Sequence, residues 1–111
     1  MKGKGRHYHN PVFYAWDYPA IKNIGKRCGY GIALLGSMRK DLDLVAIPWI
    51  EDAAEPEVLV ERIRKHIKGF VPDQIINSKP HGILSYIIQY PTYQRQFDIF
   101  YIDLKIVPMK K

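Results

Sequence analysis

Apolar residues recur along the chain at two spacings, a helical one and an alternating one, and each spacing marks its own segments. Helical spacing runs through residues 17–28, where we expect Asp17 to be the N-cap and Gly29 to end the helix. A second helix is predicted to begin at Pro56 and to be closed by Gly69. Its apolar stripe consists of Leu59, Ile63, Ile67 and Phe70.

Alternating or continuous apolar runs predict four strands. They lie in residues 31–37, 41–48, 83–90 and 97–107. Three residues separate the first two runs, and so short a link predicts an antiparallel hairpin. The order α-β-β-α-β-β indicates an α+β fold, with a single mixed or antiparallel sheet of about four strands packed against two helices. We expect one such domain over residues 13–108, preceded by a flexible basic and aromatic arm, residues 1–12.

Two of the predicted strands carry carboxylates on their polar face. Asp41 and Asp43 lie in the second strand and Asp103 in the fourth, all at odd positions, while the even positions are apolar. A single register would place the three carboxylates on the same side of one sheet. Carboxylates at this spacing repel one another unless a cation lies between them, and hard cations such as Mg²⁺ take oxygen ligands. The pattern predicts a metal site, and the alternative is a solvated acidic face neutralised by basic side chains.

Two turns are candidates for phosphate binding. Gly36 and Ser37 end the first strand, where a small residue lets the backbone approach a phosphate and the turn N–H groups and the Ser hydroxyl can bind its oxygens. The segment Lys-Pro-His-Gly at residues 79–82 would present a Lys and a His before the third strand, with an ordinary turn as the alternative. The basic candidates for phosphate contact are Arg39, Lys79, His81 and Lys105.

An apolar strand ending in Gly-Ser, the run Asp-Leu-Asp-Leu at 41–44 and a later Ile-Asp-Leu at 102–104 together resemble the nucleotidyltransferase superfamily of the DNA polymerase β type. The resemblance implies that Gly36 and Ser37 bind nucleotide phosphates. It also implies that the catalytic carboxylates, which hold Mg²⁺, are Asp41, Asp43 and Asp103. The chain departs from the family in its short link between Gly-Ser and Asp-x-Asp, which the family usually has longer and partly helical.

Longer segments of the chain resemble small bacteriophage-encoded proteins that have no established activity. These segments are GYGIALLGSMRKDLDLVAIPW, KPHG and YIDLKIVP. The resemblance adds a bacteriophage origin to the expectations and no chemistry.

The amino-acid composition limits the classes of binding partner that we expect. The net charge of +6, from 17 Lys and Arg against 11 Asp and Glu, attracts anions such as nucleotides, nucleic acid or acidic proteins. The single cysteine, Cys28, cannot form an intramolecular disulfide, and no Cys/His pattern has zinc spacing. No apolar run approaches the roughly 20 residues that span a bilayer. We therefore expect a cytoplasmic protein without a membrane partner, located in the host cytoplasm if a phage encodes it.

Three functional hypotheses follow. The first is a small nucleotidyltransferase-like protein that binds a nucleotide with Mg²⁺ and has the carboxylates for nucleotidyl transfer. The second, favoured by the short link, is a non-catalytic phage anti-defence protein that sequesters a nucleotide signal or blocks a host factor. The third is a small basic nucleic-acid-binding protein, which only the charge supports.

Overall fold

The structure, a computed structural model, describes residues 12–36, 41–72, 77–78, 82–91 and 100–108. Its elements are α1 (Val12–Cys28), β1 (Tyr30–Leu35), β2 (Leu42–Pro48), α2 (Pro56–Ile67), β3 (Asn77–Ser78), β4 (Leu84–Gln89) and β5 (Tyr101–Ile106). The predicted α+β fold is confirmed, and β3 is a two-residue strand that the sequence pattern did not predict. The predicted arm lies outside the described residues except for Val12, which begins α1. Neither helix in the described part of the chain has the length and apolarity that crossing a membrane requires.

The five strands form one mixed sheet in the order β1-β2-β5-β4-β3. β1 and β2 pair antiparallel, as the short link predicts. β5 pairs parallel with β2 on one side and antiparallel with β4 on the other. A parallel pair needs a long crossover connection, which α2 and the following two strands provide here. The last strand of the chain therefore lies in the middle of the sheet, next to the strand that carries Asp43.

The two faces of the central strands differ sharply in burial. Apart from the partly buried Pro48, the even-numbered side chains of β2 and β5 are completely buried, and they are Leu42, Leu44, Ala46, Ile102, Leu104 and Ile106. They form one apolar cluster with Ile21 of α1 and with Leu59 and Ile63 of α2. The odd-numbered side chains of both strands are only partly buried, except for the exposed Ile47. The helices thus share a core with the even face, and the odd face stays open, as the alternation predicts.

The start of α1 corrects the predicted N-cap. The helix begins at Val12, so both Asp17 and Pro19 lie inside it. The Asp17 carboxylate accepts a hydrogen bond of 2.9 Å from the Tyr90 hydroxyl. It also lies 3.7 Å from Nε2 of His66 on α2. Asp17 therefore ties α1 to α2 and to the end of β4.

Aromatic packing explains why α1 extends toward the N-terminus. The Phe13 ring lies 4.7 Å from that of Tyr90 and 5.3 Å from that of Phe100, and the adjacent Tyr14 is fully buried. Burying large rings stabilises the first turns of the helix against the sheet. The partners are more than 70 residues away in sequence, so local spacing carries no sign of them.

The end of α2 corrects the predicted role of Gly69. Lys68, with φ of 57°, adopts the left-handed conformation that usually falls to glycine. Gly69 instead lies directly against the Gln89 carbonyl at the end of β4. Phe70 then bridges to the same strand, since its N–H donates to the Gln89 carbonyl at 2.9 Å and its carbonyl accepts from the Gln89 N–H at 2.7 Å. Phe70 is 47% exposed and does not join the buried stripe of α2.

Candidate metal and nucleotide site

Parallel pairing of β2 with β5 builds the candidate site. In the register of the two strands Asp43 lies opposite Asp103, and Asp41 directly precedes β2. Each of the three residues offers a carboxylate oxygen, and these oxygens lie within 4.8 Å of one another. All three are partly buried on the odd face of the sheet. The structure therefore brings together the three carboxylates that the sequence parity singled out, and we call them the carboxylate cluster.

The cluster concentrates negative charge in a partly dehydrated place. Burial raises the pKa of Asp43, and the neighbouring charges of Asp41 and Asp103 raise it further. The ammonium group of Lys105 acts in the opposite direction on the same pKa. A carboxyl whose pKa rises for these reasons is held in an unfavourable ionised state, which a bound cation would relieve.

Lys105 supplies part of the compensating charge. Its Nζ donates a hydrogen bond of 3.0 Å to Oδ1 of Asp103. Both side chains keep partial exposure, 33% for Lys105 and 22% for Asp103, so water weakens the pair. This contact agrees in part with the solvated-face alternative, in which basic side chains neutralise the carboxylates.

The spacing of the carboxylate oxygens suits a divalent cation. Mg²⁺ binds six oxygens at about 2.1 Å, so two of its ligands lie at most about 4 Å apart. The carboxylate oxygens, within 4.8 Å of one another, lie close to that range. Three carboxylates are also hard oxygen donors, which suit Mg²⁺ better than they suit softer metals.

A glycine turn adjoins the cluster. Gly36, which follows β1, has φ of 76°, a left-handed conformation that other residues rarely adopt. A Cβ on this residue would lie 3.4 Å from Oδ2 of Asp43, so the backbone of Gly36 lies directly beside that carboxylate. The predicted phosphate-binding turn therefore begins next to the carboxylates. The other predicted phosphate contacts, Ser37, Arg39, Lys79 and His81, lie outside the described residues, and their roles stay predictions.

Two tyrosines complete the surroundings of the cluster. Tyr101 shares the odd face with Asp103, and burial raises the pKa of its hydroxyl, followed by the charge of Asp41 and a hydrogen bond to it. Tyr14 fixes the start of β5, because its hydroxyl donates to the Tyr101 carbonyl and accepts from the Tyr101 N–H, both at 3.2 Å. Sequence reasoning did not identify Tyr14, and only its place in the aromatic run of residues 13–18 hinted at burial.

Comparisons with known proteins add little. No protein-family model matches the chain, and no curated protein matches it. Its structure is similar to a chain in the structure of the GLD-2/RNP-8 complex, with a TM-score of 0.44 and 13% sequence identity. The similarity covers 91% of this chain and 40% of that chain, so this chain spans less than half of its length. A similarity at this TM-score carries no functional argument, and the assignment has to come from the site itself.

Proposed function

We propose that the chain is a nucleotide-binding, nucleotidyltransferase-like protein that holds its nucleotide through Mg²⁺ on the carboxylate cluster. One observation carries the proposal: three carboxylates, one directly before β2, one in β2 and one in its parallel neighbour β5, converge beside a glycine turn. Their order along the chain, Gly-Ser before Asp-x-Asp and a third Asp later, matches the motif of the superfamily that the sequence resembles.

Each residue has a distinct role in this proposal. Bound Mg²⁺ would neutralise the phosphates of the nucleotide and favour attack at phosphorus. Asp41, Asp43 and Asp103 would hold the ion, and the backbone at Gly36, with Ser37, would approach the phosphates. Lys105, no longer needed to compensate Asp103, would turn its ammonium group to a phosphate oxygen.

Sequestration of a nucleotide without turnover is the second candidate. The link between Gly36-Ser37 and Asp41 has three residues, which leaves little chain to build a pocket for an acceptor hydroxyl. Nucleotidyl transfer needs a positioned acceptor as well as metal-held phosphates, whereas tight binding needs only the latter. A phage protein that removes a nucleotide signal would fit this simpler requirement.

A pair of measurements tests the proposal and separates its two forms. A thermal-shift screen of nucleotides and cyclic nucleotides should give stabilisation that requires Mg²⁺ and disappears in Asp103→Ala. Incubation of the parent protein with labelled nucleoside triphosphates should then release pyrophosphate and form a labelled product. Binding without turnover selects sequestration, and the absence of any Mg²⁺-dependent nucleotide binding rejects both forms.

Replacing Lys105 should change the affinities for free Mg²⁺ and for a Mg²⁺–nucleotide complex in opposite directions. In Lys105→Gln, Mg²⁺ alone should bind roughly fivefold more tightly, because the ammonium group no longer competes for Asp103. The Mg²⁺ complex of a nucleotide should bind about ten- to a hundredfold more weakly, because a charge-assisted phosphate contact is lost. Calorimetry with and without nucleotide measures both effects, and Lys65→Gln on the exposed face of α2 is the control. Changes of the same sign would remove Lys105 from the phosphate site.

A further inference from the structure

A concave surface lies at the edge of the sheet, away from the carboxylate cluster. It has a volume of about 460 Å³, within the range of ligand pockets. We call it the edge groove, and its main lining residues are Pro19, Lys22, Asn23, Lys26, Gly31 and Trp49. The groove thus joins one side of α1 to the outer strand β1 and to the residue that follows β2.

The α1 wall of the edge groove is basic. Lys22 and Lys26 are both exposed and lie one helical turn apart, about 6 Å along the helix axis. Such a spacing is comparable to that of successive phosphates in an extended strand. Asn23 lies between them in sequence and adds an amide that can donate or accept. The acidic residues Glu51 and Asp52 follow Trp49 closely in sequence, but neither lines the groove.

Trp49, directly after β2, contributes an exposed aromatic side chain to the edge groove. Trp49 is 64% exposed, which is unusual for so large an apolar side chain. Its backbone is held in place, since its N–H donates to the Gly29 carbonyl at 3.0 Å. Gly31, on the edge strand β1, also lines the groove and has no side chain to obstruct a ligand, and a Cβ there would meet only the Ile47 carbonyl oxygen, at 4.0 Å. An exposed indole on a fixed backbone is a surface on which a base can stack.

The edge groove and the carboxylate cluster are connected by one strand. Gly31 lies in the groove and Gly36, directly after β1, lies beside Asp43, and a separation of five residues in extended chain corresponds to about 17 Å. That distance is a few nucleotides of an extended chain. Phosphate-spaced cations and a stacking surface in one groove are the combination that binds single-stranded nucleic acid, while an acidic peptide would use the lysines and leave the indole without a matching partner.

We propose that the edge groove binds single-stranded nucleic acid, with a base stacked on Trp49 and phosphates at Lys22 and Lys26. The proposal deepens the proposed function and rests on it for the purpose that the bound nucleic acid serves. A polynucleotide held in the groove would have an end within reach of the carboxylate cluster. Binding in the groove itself needs no metal, so the two proposals can be tested separately.

The first test measures affinity. A fluorescently labelled single-stranded oligonucleotide of about ten residues is titrated with protein in EDTA, at several salt concentrations. Lys22→Gln with Lys26→Gln should weaken binding by tenfold or more and lower the salt slope by about 1.4, the value for two lost phosphate contacts. The control, Lys65→Gln in α2 with Lys68→Gln directly after it, removes the same charge and should retain the parent's affinity. Equal losses in both double variants would mean a non-specific charge effect and overturn the proposal.

The second test uses the two tryptophans of the chain as reporters. In Trp16→Phe the remaining emission comes from Trp49, and the oligonucleotide should quench it. In Trp49→Phe that quenching should disappear, and Trp49→Ala should bind about tenfold more weakly. Quenching confined to Trp16, or binding of poly-glutamate without binding of the oligonucleotide, would overturn the proposal. Mg²⁺-dependent binding of a mononucleotide should persist in the Lys22 and Lys26 variants. If the parent protein shows no such binding, only the proposed metal site on the carboxylate cluster is rejected.

Discussion

Replacing Asp43 with Asn is expected to lower Mg²⁺-dependent nucleotide affinity by a hundredfold or more while the protein stays folded. Asp43 is the central member of the carboxylate cluster, opposite Asp103 in the register and beside Gly36. The amide keeps the shape of the side chain but removes the charge on which a hard cation depends. Loss of a metal ligand should therefore cost more than the ten- to hundredfold typical of residues that only orient ligands.

The same substitution should stabilise the metal-free protein at neutral pH. The pKa of Asp43 is raised in the folded state by burial and by the two neighbouring carboxylates, so ionisation of this group opposes folding. The protonated Asp43 carboxyl contributes favourably to folding below the unfolded pKa, about 3.9. This contribution is lost as the pH rises through the higher pKa of the folded state. At pH 7 the uncharged Asn avoids this loss, and near pH 4 the difference between variant and parent should shrink.

Two measurements check these expectations for Asp43. Calorimetric titration of nucleotide with Mg²⁺ gives the loss of affinity, and urea denaturation in EDTA at pH 7 and pH 4 gives the stability. Asp52→Asn, in the exposed loop before α2, is the control and should change neither quantity. A variant that binds Mg²⁺ and nucleotide as the parent does would exclude Asp43 from the metal site.

Replacing Gly69 with Ala should destabilise the protein by about 3 kcal/mol, the largest stability effect we expect from adding one methyl group. A Cβ on Gly69 would overlap the Gln89 carbonyl oxygen, and it would lie 3.1 Å from the carbonyl carbon and 3.0 Å from Cδ1 of Ile67. The carbonyl cannot retreat without cost, because it accepts the 2.9 Å hydrogen bond from the Phe70 N–H. The methyl group would therefore separate the end of α2 from β4.

Gly31 supplies a matched control for Gly69. The same substitution there places the methyl group 4.0 Å from the Ile47 carbonyl oxygen, with no closer neighbour. Gly31→Ala should therefore change the free energy of unfolding by no more than about 0.5 kcal/mol. Urea denaturation at one pH measures the free energy of unfolding of both variants and of the parent protein. Equal stability of the two would show that α2 and β4 are not in close contact at Gly69.

Local periodicity was sufficient to predict much of the carboxylate cluster. Strand side chains alternate by geometry, so the odd numbering of Asp41, Asp43 and Asp103 already placed them on the face opposite the apolar core. The same local signals predicted the hairpin between β1 and β2, Gly29 at the end of α1 and Pro56 at the start of α2. These features depend on residues a few positions apart, which a sequence displays directly.

Long-range packing decided what local signals predicted wrongly. Asp17 has the chemistry of an N-cap, but contacts of Phe13 with Tyr90 and Phe100 extend α1 past it. Gly69 has the chemistry of a helix stop, but the close approach of β4 gives it another role and leaves Lys68 in the left-handed conformation. In both cases a distant partner outweighs a local preference worth about 1 kcal/mol.

The order of the strands in the sheet could be learned only from the tertiary structure. Parity showed that Asp103 shares a face with Asp43, but the insertion of β5 between β2 and β4 is what sets the two side by side. The edge groove is tertiary in the same sense, because α1 and the end of β2 carry Lys22 and Trp49 from positions 27 residues apart. Alternation and helical spacing are fixed by backbone geometry, whereas the choice of neighbouring strand depends on which pairing buries the most apolar surface across the whole chain.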